Sequence, residues 1–227
     1  MSPLATPSRP KRRALKHRPV SHAGVFTPKQ LLARTRPLSR SFFQRPTIDV
    51  ARDLLGKVIV HRADDNILAG MIVETEAYLG EADAAAHASR GITKRTAVIF
   101  GPPGRAYVYL CYGMYECLNL VAEPDGKAGC VLIRALEPLC GLNEMQRRRV
   151  KAARLRDYAS GPGKLTLALG ITRQRNGADI TRGPLAVRAF KEPPGFEIVT
   201  STRIGIHVAV ESPFRFYIQG NEHVSAV

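Results

Sequence analysis

Two carboxylates and one arginine carry the chemistry that this chain could perform. The segment Gly70-Met-Ile-Val-Glu-Thr-Glu-Ala-Tyr78 is a short apolar strand pattern with two glutamates inside it. Side chains alternate along a strand, so Ile72, Glu74, Glu76 and Tyr78 share one face and Met71, Val73, Thr75 and Ala77 the other. A carboxylate in such company is costly to bury unless it is paired or used, which makes either Glu74 or Glu76 a candidate general base. Arg134, inside Val131-Leu-Ile-Arg-Ala-Leu136, also needs a partner, and Glu137, Glu74 and Glu76 are all available. Spacing leaves open whether that pair is a structural salt bridge or stands beside a catalytic carboxylate.

Four of the seven tyrosines fall within Tyr107-Val-Tyr-Leu-Cys-Tyr-Gly-Met-Tyr115. Tyr107 and Tyr109 share a strand face, and Tyr112 lies on the opposite face beside Gly113, where a tight turn is available. These rings either pack in a core or form an aromatic platform for bases with a wedge at a hairpin tip. Ser160-Gly-Pro-Gly-Lys164 is a plain turn or a phosphate cradle at a helix start; it lacks the first glycine and the Ser/Thr of a nucleotide-binding P-loop. His87, in Asp83-Ala-Ala-Ala-His-Ala-Ser-Arg90, reads by itself as an ordinary loop or helix histidine. Cys111, Cys117, Cys130 and Cys140 form no Cys-x-x-Cys pair, and the histidines lack helical ligand spacing, so free thiols and no metal are expected.

The elements that must position these groups are mostly strands. Thr47 caps a short helix ended by Gly56. Strand patterns cover Lys57–His61 and Ala69–Tyr78 around the turn at 63–66, then Ala106–Tyr112, Glu116–Val121 and Cys130–Leu136. A helical pattern spans Leu139–Arg156, with Leu142, Met145 and Val150 inward, and a shorter helix covers Leu165–Leu169. Strand patterns close the chain at Leu185–Phe190, Ile204–Val210 and Phe214–Ile218. Without a regular βαβ alternation, this predicts an α+β fold, one mixed domain around a mainly antiparallel sheet.

Lys and Arg total 34 against 19 Asp and Glu among 227 residues, a net charge of +15. Residues 1–40 hold ten of the basic residues and no acidic one, in a Pro- and Ser-rich context. They are expected to form a basic disordered tail, with the folded domain over residues 41–227. A basic arm favours a polyanion, nucleic acid being the common one. No apolar run approaches the roughly 18 residues that a membrane-spanning helix needs, so no membrane partner is expected.

Taken in order, Arg52-Asp-Leu-Leu-Gly-Lys57, Val73-Glu-Thr-Glu-Ala-Tyr-Leu-Gly80, His87, Tyr107-Val-Tyr109, Tyr112-Gly-Met-Tyr115, Asn119, Leu132-Ile-Arg-Ala-Leu-Glu-Pro138, Ser160-Gly-Pro-Gly-Lys-Leu165, Arg203-Ile-Gly205 and Arg215-Phe-Tyr217 resemble the alkyladenine (3-methyladenine) DNA glycosylase family. The resemblance covers about residues 41–225. It implies one mixed α/β domain with a protruding DNA-inserting hairpin and no helix-hairpin-helix module, which removes alkylated purines from duplex DNA by base flipping. By motif position, Glu76 is the base that activates water, and Arg134 and the backbone carbonyl of Ile204 hold that water. Tyr78, His87 and Tyr109 line the base pocket, Asn119 sits at its floor and disfavours the guanine amine, and Tyr112 fills the gap in the duplex. Glu74 becomes a structural partner, and Lys164 with the basic segment Gln146–Arg156 contacts the DNA backbone. No cofactor and no lyase step are implied. The expected partner is damaged double-stranded DNA bound by a monomer, in the bacterial cytoplasm, or in the nucleus if the chain is eukaryotic, where Pro10-Lys-Arg-Arg13 could serve as a signal.

Three positions depart from the family pattern: Thr96 where Asn is usual, Glu116 where an apolar or aromatic residue is common, and His207 where a small residue follows Ile206. They bear on lesion range. Two other readings compete: a catalytically silent lesion binder, against which Glu76 together with Arg134 argues, and a single-strand or RNA binder, which needs no carboxylate beside its stacking platform.

Overall fold

The computed structural model describes residues 25–63, 65–124 and 126–225. Most of the expected tail, residues 1–24 with Pro10-Lys-Arg-Arg13, lies outside the described residues, as does Asp64 of the expected turn. The folded part starts before Ser41, which corrects the expected boundary. Helix α1 (Pro28–Arg34) begins with a reciprocal cap between Thr27 and Gln30, and it buries Leu31. Strand β1 (Thr35–Pro37) pairs with β7 (Leu185–Phe190) at the sheet edge. One buried leucine and a sheet edge are enough to tie down a segment whose composition resembles a linker.

The remaining elements are α2 (Arg40–Phe43), α3 (Thr47–Asp53), β2 (Val58–Ala63), β3 (Asn66–Tyr78), β4 (Ala106–Cys111), β5 (Tyr115–Val121), β6 (Cys130–Cys140), α4 (Leu142–Arg148), α5 (Pro162–Leu169), β8 (Ile198–Ser201) and β9 (Arg215–Ile218). The sheet runs β1-β7-β2-β3-β6-β5-β4, and its pairs are antiparallel. Strand β3 is the axis. Its first half pairs with β2 through Met71, and from Glu74 to Glu76 it pairs with β9 instead, while β6 flanks it on the other side. The β3–β6 ladder slips between Ile72 and Thr75, where β2 gives way to β9. Such an irregularity re-aims side chains, and here it falls on Glu74, with regular pairing resumed by Glu76 opposite Leu132.

Thr75 shows which face is structural: its hydroxyl donates to the Ala51 carbonyl of α3 at 2.8 Å. Beneath the sheet, Val50, Ala51, Leu54, Val58, Ile72, Ile133 and Phe216 share one buried core. Helix α3 starts differently from expectation. Pro46 is its cap and Thr47 its first residue, and the Glu123 carboxylate accepts from both the Thr47 N–H (2.7 Å) and hydroxyl (2.8 Å). An acceptor anion from another loop serves the helix's positive end where a local side chain was expected.

Two expected elements are corrected. The helix over Leu139–Arg156 is only α4, because β6 continues to Cys140 and Gly141 turns the chain at φ +80°. Val150, expected inward, is 81% exposed. Arg149 leaves the helical region and donates to the carbonyls of Asp157 and Tyr158, so part of the basic run serves loop structure. The strand over Ile204–Val210 is a loop, with Gly205 at φ +74° and Ala209 at φ +51°, and β8 lies upstream of it. Among the described residues, no helix is long and apolar enough to cross a membrane.

Candidate active site

Strands β3 and β6 bring both glutamates to Arg134. The guanidinium bridges them, with Nε 3.1 Å from Glu74 Oε1 and Nη1 3.2 Å from Glu76 Oε1. The three possible partners thus reduce to two, and Glu137 instead accepts from Asn221 Nδ2 at 2.8 Å. Both carboxylates are fully buried, yet their surroundings differ. Glu74 takes four donors: Arg134 and Arg215 (2.7 Å) and the Ser225 hydroxyl (3.0 Å) donate to Oε1, and the Ser225 N–H (2.8 Å) donates to Oε2. Glu76 Oε1 takes Arg134 and the Ile204 N–H at 2.7 Å, whereas Oε2 takes only the Tyr78 hydroxyl at 3.0 Å among the described residues. Burial pushes the Glu76 carboxyl above the ordinary glutamate range, outweighing Arg134, the Ile204 N–H and Tyr78, which pull it down. A carboxylate with raised proton affinity and spare acceptor capacity can take a proton from water.

Beside the buried pair lies a cavity of about 840 Å³ lined by Tyr78, His87, Tyr109, Asn119, Arg134 and Ile204 among others; Glu76 adjoins it through Tyr78, Arg134 and Ile204 and is not itself a lining residue. Every pocket residue expected from sequence is therefore in one place. Tyr107 and Tyr109 stack, with centroids 5.3 Å apart and planes 28° apart, and His87 stands edge-on to Tyr109 at 4.6 Å. His87 Nδ1 lies 3.0 Å from the Tyr107 hydroxyl, and Arg95 approaches Nε2 at 3.4 Å. Arginine only donates, so Nε2 accepts and Nδ1 carries the proton that goes to the Tyr107 oxygen, a tautomer assigned from the network. Burial, with the Arg95 charge adding to it, pushes the imidazole down to about 4 and keeps it neutral. Asn119, on β5, donates from Nδ2 to the Tyr107 carbonyl at 3.3 Å.

Tyr78 is braced from behind. The Arg203 guanidinium carbon lies 4.7 Å from the ring centroid, and Arg203 forms a buried ion pair with Asp83. Asp83 also accepts from the Leu79 and Ala85 N–H groups at 3.1 Å, fixing the turn that leads from Tyr78 to His87. The Arg203 hydrogen bonds and those two N–H groups outweigh desolvation and hold the Asp83 carboxyl below its ordinary range.

Strands β4 and β5 form a hairpin with Tyr112, Gly113 and Met114 at its turn. Tyr112 sits at φ +51° and is 77% exposed, an unusual cost and an unusual exposure for a large aromatic residue. It also lines the cavity. Lys164 is exposed on α5 and does not line the cavity, although its neighbour Pro162 does. Of the departing positions, Thr96 is bound within its own loop to Thr93 and Gly91 and, like His207, lines the cavity, whereas Glu116 pairs with Arg173 at 2.9 Å and does not.

Sequence reasoning missed Arg95, Asp83, Arg203, Arg215 and Ser225 as site residues. Arg203 and Arg215 stand in recognised motifs, and that signal could have raised them. Nothing in the sequence marks Ser225. The four cysteines are free, and burial pushes the Cys117 and Cys130 thiols up to about 12. Among the described residues, no group of three or more His, Cys, Asp or Glu is arranged to hold a metal ion.

Residues 41–222 match the family described as methylpurine-DNA glycosylase. A protein of Methanocella arvoryzae is 52% identical over 192 residues, covering 83% of this chain and 95% of its own length. One of Methanoculleus marisnigri is 50% identical over 191 residues, covering 83% and 98%. One of Koribacter versatilis is 47% identical over 201 residues, covering 87% and 97%. All three carry the name "Putative 3-methyladenine DNA glycosylase". With a family match over most of its length and a buried carboxylate beside an aromatic cavity, the chain belongs to the methylpurine-DNA glycosylase family of DNA glycosylases.

Proposed function

We propose that the protein hydrolyses the N-glycosidic bond of alkylated purines, 3-methyladenine among them, in duplex DNA. The observation that carries this reading is Glu76: fully buried, raised in proton affinity, tied to Arg134, Ile204 and Tyr78, and set beside a cavity with tyrosine walls. The damaged nucleotide leaves the stack and its base enters between Tyr78 and the His87–Tyr109 pair, while Tyr112 takes its place in the duplex. A weakly paired lesion costs less to extrude than a normal base, which contributes selectivity.

Glu76 then takes a proton from water, and the water oxygen attacks the sugar carbon that the purine is leaving. Arg134 and the backbone at Ile204 position that water, and Asn119 disfavours bases with a guanine amine. An alkylated purine that carries positive charge leaves easily and gains from electron-rich tyrosine faces. Water is the nucleophile throughout, so no strand-cutting lyase step follows. Lys164 and the excess of basic residues contact the phosphate backbone without reading sequence. The protein acts as a monomer on double-stranded DNA.

Incubation with methylated duplex DNA tests the reading. Wild-type protein is expected to release free 3-methyladenine, and Glu76→Gln is expected to lose at least about a hundredfold in rate. Wild-type protein that binds methylated DNA and releases nothing would establish the silent-binder alternative.

A further inference from the structure

Two aromatic walls of the pocket each carry a guanidinium, and only one of the two is neutralised. Arg203, behind Tyr78, is paired with Asp83. Arg95 lies 4.8 Å from the Tyr109 ring centroid, and among the described residues no carboxylate pairs with it. Its Nη2 is 3.4 Å from His87 Nε2 and its Nε 3.3 Å from the Tyr107 hydroxyl. Arg95, His87, Tyr107 and Tyr109 all line the cavity. An uncompensated positive charge therefore stands at the wall of the proposed base site.

We propose that Arg95 is a specificity-determining residue that biases the pocket against cationic purines and toward neutral ones. The inference rests on the base-pocket reading above. A cationic purine stacked here meets a like charge, and it competes with Arg95 for the electron-rich ring of Tyr109. The chemical step points the same way. As the bond from sugar carbon to purine nitrogen breaks, its electron pair stays with the purine, water oxygen bonds to the carbon and the water proton goes to Glu76. A cationic purine then departs neutral. A neutral purine departs as an anion, and a guanidinium beside it stabilises that developing charge. Arg95 is exposed, so solvent screens both effects to about threefold to fivefold.

Single-turnover excision by wild type, Arg95→Gln and Arg95→Lys tests this, on duplexes carrying one 7-methylguanine (cationic) or one hypoxanthine (neutral). Arg95→Gln is expected to raise the rate ratio of 7-methylguanine to hypoxanthine by about threefold or more, and Arg95→Lys, which keeps the charge, to stay within about twofold of wild type. Equal slowing of both lesions by Arg95→Gln would assign Arg95 to general DNA contact and overturn the proposal. So would an equal shift in the lysine variant, or a wild type that excises only the cationic lesion. A wild type that excises neither lesion yet releases 3-methyladenine from methylated DNA overturns this inference alone, and one that releases no 3-methyladenine either removes the glycosylase reading itself. An active wild type whose ratio ignores Arg95→Gln removes only this inference.

Discussion

Ser225 donates to Glu74 twice, from its N–H to Oε2 at 2.8 Å and from its hydroxyl to Oε1 at 3.0 Å. Glu74 in turn holds the Arg134 side chain that reaches Glu76. The C-terminal segment, beyond the matched residues 41–222, is thereby tied to the proposed base. Glu76→Gln is expected to abolish excision and leave the fold intact. Glu74→Gln should act first on stability, costing about 3 kcal/mol, because Arg134 and Arg215 lose a buried partner. Ser225→Ala should cost about 1–2 kcal/mol. Urea unfolding alongside single-turnover excision separates these outcomes, and a stable, inactive Glu74→Gln would reverse the assignment of the two glutamates.

Excision of a neutral lesion requires ionised Glu76. Its carboxyl is raised by burial, so the acid limb of the pH–rate profile should lie above the ordinary glutamate value of 4.5, with activity lost as pH falls through it. His87, held down to about 4, should add no inflection near 6.5. A profile flat down to pH 4 would contradict the proposed role of Glu76.

The same histidine should make the fold acid-sensitive, to an extent that its partial solvent exposure limits. Folded His87 stays neutral to about 4, whereas an unfolded histidine binds its proton near 6.5. Between those values the unfolded chain binds more protons, so stability falls as pH is lowered across that window. His223, also lowered by burial, acts in the same direction. His87→Asn should flatten the decline in urea midpoint between about pH 6.5 and 4, and an unchanged slope would show that His87 is already charged in the folded state.

Tyr112→Ala should weaken base flipping, read by fluorescence of a reporter base beside the lesion, more than it weakens binding to undamaged duplex. Equal losses would reduce Tyr112 to a general contact.

Gly80 and Gly113 both have positive φ, +74° and +69°, yet alanine should be tolerated very differently at the two. A Cβ on Gly80 would lie 2.2 Å from the Ala128 carbonyl oxygen, while one on Gly113 meets nothing within 4 Å. Gly113→Ala should cost about 1 kcal/mol, the backbone term alone. Gly80→Ala should cost roughly 3 kcal/mol or more, and should also disturb Tyr78, two residues away. Thermal melts of the two variants make the comparison.

Local pattern was enough for much of the frame. Alternating apolar runs mark β2 through β6, because a strand's side chains answer only to its two faces. The turn at Gly113 and the short helix after Gly161 follow from local backbone preference in the same way. Pattern failed where a tertiary partner decides. Residues 28–37 read as tail, but one buried leucine and a pairing with β7 fold them. The basic stretch after Arg148 kept a helical charge pattern, and the chain leaves the helix there.

The sequence by itself determined which residue types are present to do chemistry: two glutamates on one strand, an arginine on another, and a run of tyrosines. Spacing left Glu74 and Glu76 equivalent, and resemblance alone favoured Glu76. Only the tertiary structure distinguishes their surroundings, because the distinguishing donors come from far along the chain. Arg215 and Ser225 give Glu74 three donors besides Arg134, while Glu76 has only the Ile204 N–H and the Tyr78 hydroxyl besides Arg134 among the described residues, both from residues that line the cavity. A carboxylate's proton affinity is set by what surrounds it in three dimensions, and strand alternation carries no information about that.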